Sequence, residues 1–331
     1  MNVARRSTRN VRPGPLPAAI LFGLTLALPA VFLAQSAAVR HVDRDQLMRD
    51  LTVLASPEFE GRRTGSAGSL KARGWIVEQF RRAGLKPAGA AEYLQPFMFS
   101  VTDRRAAMPG GGPFRISYAA ANVIGRVDGR EPRSRLLVVT AHYDHLGVRD
   151  GVLYPGADDN ASGVAALLAA ARFFAANPAR HPLLFAALDG EEQGQRGARA
   201  LLESTLVDRR GIAMNINLDM VSRSTRREIF AAGTAFAPWL LPILQDVQTR
   251  AAVTIRFGHD RPSPASGDDW THSSDHGPFH DAGIAWVYFG VEDHADYHAA
   301  TDTSGRVDAT FYGDVVDMII EAIRTIDARV D

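Results

Sequence analysis

Apolar positions along the chain fall into two periods. Four near-continuous apolar runs of strand length occur at Leu136–Thr140, Leu183–Leu188, Ile212–Leu218 and Ile284–Phe289. Runs of this kind read as strands buried on both sheet faces. Helical spacing appears in Asp43–Ala55, through Leu47, Leu51 and Leu54, and in Ser69–Leu85, through Trp75, Ile76 and Phe80. Further helices are predicted over Ala161–Ala176, Arg196–Ser204, Phe236–Ala251 and Phe311–Ile326. The Gly-rich stretch Pro109–Pro113 reads as a surface loop. Strands alternating with helices predict an α/β sandwich, a mostly parallel or mixed central sheet with helices on both faces. Without repeats or a low-complexity linker, residues 43–331 read as a single domain.

Composition narrows the chemistry. The 331 residues carry 37 basic and 37 acidic groups and no cysteine. The absence of thiols excludes disulfide scaffolds, thiolate nucleophiles and Cys-type zinc sites. Balanced charge without a basic, aromatic-interleaved stripe argues against nucleic acid as a partner. The first 38 residues differ from the rest: Arg5, Arg6, Arg9 and Arg12 precede an apolar run from about Leu16 to Ala34 and a small-residue exit. This pattern predicts a secretory signal peptide, and hence a periplasmic or secreted protein. The alternative is an N-terminal anchor in the inner membrane. Removal of the segment would leave 33 basic against 37 acidic groups, a mildly acidic domain.

Chemistry gathers where the apolar runs end. His142-Tyr143-Asp144-His145 follows the first, Asp189-Gly190-Glu191-Glu192 the second, and Asp219 the third. Tyr297-His298 and Asp302 follow the fourth after a loop, and Gly156-Ala157-Asp158-Asp159-Asn160-Ala161-Ser162-Gly163 leads into a helix. Taken singly, Asp-Asp-Asn before a helix is an N-cap cluster, Glu-Glu is a solvated turn, and Tyr-His is uninformative. Together they deliver carboxylates and imidazoles to the rim where α/β sheets bind ligands. Imidazole with carboxylate and no thiolate suits Zn2+, with Mn2+ or Co2+ as substitutes. The donors outnumber the needs of one ion, which predicts two zinc ions sharing a bridging carboxylate. Of the adjacent glutamates, Glu192 can ligate while Glu191 accepts a proton from water.

In their order, these motifs resemble the two-zinc exported bacterial aminopeptidases, relatives of glutaminyl cyclases and glutamate carboxypeptidases. Ser56-Pro57-Glu58-Phe59-Glu60-Gly61-Arg62 and Ser274-Asp275-His276-Gly277-Pro278-Phe279 extend the likeness, which runs from about Leu51 to the C-terminus. The resemblance implies a zinc-exopeptidase-like sandwich that hydrolyses N-terminal peptide bonds, acting on peptides with a free amino terminus. It implies His142, Asp159, Glu192, Asp219 and His298 as metal ligands, with Asp159 rather than Asp158 as the bridge. Glu191 becomes the general base and Tyr297 an oxyanion donor. Asp144 becomes the partner of His142, Asp302 that of His298, and Asp275 a structural support.

Other readings compete. His145 lies three positions past His142 and could ligate instead, although extended backbone past the strand would turn it to the opposite side. His259, His272, His280 and His294 read as solvated, with His294 and Asp296 as a rim, and His181 as a turn residue before a strand. Arg223, Arg226 and Arg227 could recognise a terminal carboxylate, which keeps a carboxypeptidase open beside a glutaminyl cyclase. A non-catalytic binding domain should lack one of the ligands, and none is missing. The pattern leaves oligomeric state undetermined.

Overall fold

The four apolar runs become four neighbouring strands. The computed structural model describes Gly14 and residues 40–103, 114–131, 133–261 and 268–330. The segment over residues 1–38, Gly14 aside, and the Gly-rich stretch at 109–113 lie outside the described residues. The chain opens with α1 (Arg44–Leu54), α2 (Ala67–Arg82), β1 (Lys86–Pro87), β2 (Leu94–Asp103) and β3 (Phe114–Val127). Then come β4 (Leu136–His142), the hairpin β5 (Gly147–Arg149) and β6 (Val152–Tyr154), and α3 (Gly163–Ala176). Next are β7 (Leu183–Leu188), α4 (Arg196–Glu203), β8 (Ile212–Leu218), β9 (Glu228–Ala232), α5 (Leu240–Gln248) and β10 (Thr254–Phe257). The remainder is α6 (His276–Asp281), β11 (Trp286–Gly290) and α7 (Ala309–Asp327).

The main sheet runs β1-β3-β7-β4-β8-β11-β9-β10, with β2 also pairing to β3. Its centre, β7-β4-β8-β11, is parallel, while β3 joins β7 and β9 joins β11 antiparallel. The sheet is therefore mixed, with the parallel strands in the middle. Burial explains why these were the legible ones. Along β7, Leu183, Phe185 and Ala187 pack into one core with α1, α2, α3 and α7, and Leu184, Ala186 and Leu188 into a second with α4 and Phe279. A strand covered on both faces has no polar positions to reveal its period. The helices begin at side-chain caps: Asp43 accepts from Gln46 N–H, Ser66 from Ser69 N–H, and Asp308 from the N–H groups of Thr310 and Phe311.

The strands β2, β3, β9 and β10 and the β5–β6 hairpin carry no apolar run longer than four residues. β2 borders only β3, and Met98 on it is exposed. Ala119, Ala120 and Ala121 on β3 are small residues that owe their extended form to ladder pairing with β2. Such strands are stabilised by neighbours distant in sequence, so local pattern reports them weakly. Among the described residues no helix is long and apolar enough to cross a membrane.

Candidate metal centre

Strand register decides which side chains meet. His142 of β4 lies opposite Leu188 of β7, Thr140 of β4 opposite Asn217 of β8, and Phe289 of β11 opposite Leu218. The parallel strands thus end level, spaced about 4.8 Å apart, and release their next residues onto one rim. His142 Nε2 lies 3.3 Å from Asp219 Oδ1 and 3.5 Å from Asp159 Oδ1. His298 Nε2 lies 3.1 Å from Asp159 Oδ2 and 3.6 Å from Glu192 Oε1. Asp159 thereby offers one oxygen to each side. The five side chains expected as ligands are brought together, and Glu191 stands beside them.

The loop before α3 divides its three polar residues by task. Asn160 Oδ1 accepts from Gly163 N–H and Met220 N–H, while Asn160 Nδ2 donates to Leu218 O. Asp158 accepts from Ser222 N–H, from the Ser222 and Ser162 hydroxyls, and from His294. With its neighbours tied down, Asp159 is left to face the rim. Gly156, which opens the loop, has φ +57, and a Cβ there would lie 2.1 Å from Asp159 O and 2.5 Å from the His145 ring. Only glycine fits that approach.

Several expectations need correction. His145 does not turn away. β4 ends at His142, the period of two stops with it, and the following turn brings His145 Nδ1 to 2.8 Å from Glu192 Oε1 and 3.6 Å from Asp159 Oδ2. Asp302 makes no hydrogen bond to His298; its carboxylate accepts from the N–H groups of Asp158 and Asp159 and so supports the loop. Asp144 serves His142 chiefly through its backbone. His142 Nδ1 donates to Asp144 O at 3.1 Å, while the carboxylate, 3.8 Å away, accepts from the N–H groups of Glu191 and Glu192. A carbonyl can only accept, so Nδ1 carries a proton and Nε2 is the nitrogen turned to the rim. His294 is paired with Asp158 rather than solvated, and His259 is stacked on Trp270 at 3.7 Å. His272 is exposed, as expected.

Electrostatics mark the rim as a place for positive charge. Burial pushes the Glu191 carboxyl well above its ordinary range, the charges of Asp275 and Asp219 adding to it and His142 opposing. Burial raises Glu192 as well, and pushes Asp275 up to about 7 and Asp302 up to about 6. Burial alone would lower His142, but Asp219, Glu191 and Asp159 together hold it well above the usual imidazole value. Burial takes His145 the other way, to about 3. Carboxylates this crowded take up protons unless a cation replaces them.

A direct test of fit lies in the unpaired atoms. Both ring nitrogens of buried His145, and Glu192 Oε1, lack a hydrogen-bond partner. Yet Nδ1 and Oε1 are 2.8 Å apart, so the ring is not aligned to donate to the carboxylate. Buried polar atoms left this way are costly unless a cation sits between them. Two groups of ligand atoms, each group within 4.8 Å, share Asp159: His142 with Asp159 and Asp219, and His145 with Asp159 and Glu192. Imidazole and carboxylate donors of this kind suit zinc.

Three supports escaped the sequence reading. Arg62 is fully buried, and its guanidinium donates to the carbonyls of Leu54, Tyr143, Pro155 and Gly156, clamping the two segments that bear His142 and Asp159. Burial lowers it to about 10, against the pull of Asp159 and Asp302. Beneath the rim, Asn215 Nδ2 donates to the Thr140 hydroxyl, Thr140 to Asn217 Oδ1, and Asn217 Nδ2 to Ser274 Oγ. Two asparagines at a spacing of two inside an apolar run were the available signal for this network. The third, His145, was weighed and turned the wrong way.

Comparison with known proteins points the same way. The model described as peptidase family M28 matches residues 122–323. The chain is 30% identical over 244 residues to a probable zinc metalloprotease of Pyrenophora teres f. teres, covering 69% of this chain and 48% of that one. It spans about half the length, or less, of the first curated relatives it matches. In fold it is similar to the aminopeptidase from Aneurinibacillus sp. strain AM-1, with TM-score 0.69 and 15% identity over 86% of this chain and 93% of that one. The glutaminyl cyclase of Porphyromonas gingivalis is also similar, with TM-score 0.65 and 17% identity over 86% and 99%.

Proposed function

The chain belongs to peptidase family M28, and from that premise we propose that it is an aminopeptidase that works with two zinc ions and a glutamate base. The observation that carries the reading is Asp159, which turns Oδ1 toward His142 and Oδ2 toward His298 and so serves two adjacent donor groups. One group would comprise His142, Asp159 and Asp219, the other Asp159, Glu192 and His298. When bound, the ions supply Lewis acidity for a peptide carbonyl and make water more acidic.

The remaining work falls to the chain's own side chains. Among the described residues no group donates a hydrogen bond to the Glu191 carboxylate, so its oxygens are free to accept a proton from water and return it to the leaving amine. Tyr297 stacks on His298 at 3.9 Å, and its half-exposed phenol, beside that imidazole, is the hydroxyl we assign to stabilising a developing oxyanion. A rim rich in carboxylates suits a substrate with a free α-amine. The arginines that could have read a terminal carboxylate are engaged: Arg223 with Asp296, Arg226 with Glu228 and Arg227 with Asp314. That disfavours the carboxypeptidase reading. The Arg-rich, then apolar, stretch of residues 1–38 supports export as the setting of the reaction.

Glu191→Gln tests the base. The variant should keep its metal by elemental analysis and lose about 10²–10⁴-fold in turnover of a leucyl anilide. Near-normal turnover would remove Glu191 from the role. Preference for N-blocked peptides would overturn the aminopeptidase assignment, and cyclisation of N-terminal glutamine without peptide hydrolysis would replace it with a cyclase.

A further inference from the structure

The second donor group holds one more imidazole than the reading above requires. We propose that His145 is a direct ligand of the second zinc ion, opposite His298, so that this ion is held by two imidazoles, one buried and one at the rim. The inference rests on the two-ion reading.

Three observations carry it. First, the location is fixed by the backbone: Tyr143 N–H pairs with Leu188 O, the chain then leaves the strand, and His145 comes to rest fully buried against Gly156. Second, the ring has no other occupation. Neither nitrogen has a hydrogen-bond partner, and a buried imidazole without one is an uncommon and costly arrangement. Third, its surroundings are those of a ligand. Nδ1 lies 2.8 Å from Glu192 Oε1 and 3.6 Å from Asp159 Oδ2, and His298 Nε2 approaches the same two oxygens at 3.6 and 3.1 Å. Two imidazoles thus approach one pair of carboxylate oxygens, and His145 is the one that lies within 4.8 Å of both Asp159 and Glu192 as a single donor group, of the kind a zinc site uses.

The alternative role is that of an outer partner that orients Glu192 through a hydrogen bond. The misaligned ring argues against it, since the short Nδ1–Oε1 separation lacks the direction such a bond needs. The two halves of the centre would then differ in redundancy. His298 is 40% exposed and can be lost or displaced by substrate while His145, Glu192 and Asp159 retain the ion.

The test counts imidazoles on the metal. Zinc-edge X-ray absorption of the wild-type protein loaded with zinc should show three imidazoles for two ions; two for two ions overturns the proposal. A wild type that holds only one ion fails the two-ion reading instead, and His145 is then judged by whether His145→Phe lowers the imidazole count on that ion by one. Metal titration of variants gives a second readout. His298→Ala should still bind two ions, and His145→Phe should weaken one of them on the order of 100-fold. Loss of the second ion from His298→Ala together with its full retention in His145→Phe overturns the assignment. Thermal unfolding of the metal-free forms separates a folding defect from a lost ligand.

Discussion

The two halves of the centre are built from different material. One half, His142 with Asp219, comes from residues at or next to the ends of β4 and β8, and both side chains are buried. The other half, Glu192, His145 and His298, comes from loops, and His298 stands on the exposed rim with a positive φ of 54°. Strand ends are positioned by sheet register and tolerate little displacement, whereas loops are positioned by hydrogen bonds and can yield. The structure thus pairs a rigid half with one that is anchored at buried His145 and adaptable at exposed His298, joined at Asp159. An adaptable half beside a fixed one is what a site needs if substrate is to enter and product to leave while metal stays.

The comparison can be broken most forcefully at the joint. Asp159→Ala should abolish tight binding of both ions and all hydrolysis, measured by elemental analysis and anilide turnover. Retention of two ions would mean that the halves are independent. The next effect tests their asymmetry: Asp219→Ala should empty the rigid half, with metal affinity falling about 100-fold or more at one position, while His298→Ala should weaken its half by less. Equal losses would erase the distinction. Asp302→Asn should act more weakly, since it disturbs the N–H groups of Asp158 and Asp159 without touching a donor. We expect a loss of about 1–3 kcal/mol in stability, read from denaturant unfolding, with metal stoichiometry unchanged.

The smallest expected effect is on the pH dependence of the metal-free protein. Asp275 at about 7, Asp302 at about 6 and Glu191, also raised, are protonated more readily folded than unfolded, and His142 is raised too. Groups with raised folded values lend stability at low pH that is lost as pH climbs through those values. Melting temperature of the metal-free form should therefore rise by a few degrees as pH falls from 8 to about 6.5. Below that, His145 at about 3 and His276 at about 4 stay neutral in the fold and oppose the trend. Zinc should flatten or reverse the slope, because ligands must shed protons to bind it. A metal-free melting temperature that falls from pH 8 to 6.5 would contradict the assignment of crowded, protonatable carboxylates to this rim.

Much of the centre could be read in advance because its chemistry follows apolar runs. A buried parallel strand announces itself by continuous hydrophobicity, and a charged residue directly after it has to have a partner. That reasoning reached His142, Glu191, Glu192 and Asp219, while His298, beyond a loop, came within view mainly through the family likeness. It failed where direction depends on a turn: His145 was assigned the far side because extended geometry was carried past the end of β4. It failed for Asp302 and His294 because which carboxylate meets which donor depends on how a loop from one part of the chain lies on another. Arg62 entered only as part of a motif of the family likeness and with no role, since an arginine in a polar stretch looks solvated until four backbone carbonyls close round it.

By itself, then, the amino-acid sequence determined the alternation of buried strands and helices and the set of side chains able to hold metal and move a proton, because periodicity and residue type are local properties. Only the tertiary structure decided that Asp159 lies between two groups of side chains, that a third imidazole lies beside one of them, and that antiparallel strands flank the parallel centre. Those outcomes depend on register, on turn direction and on contacts between residues more than a hundred positions apart, none of which is encoded in any single stretch of the chain.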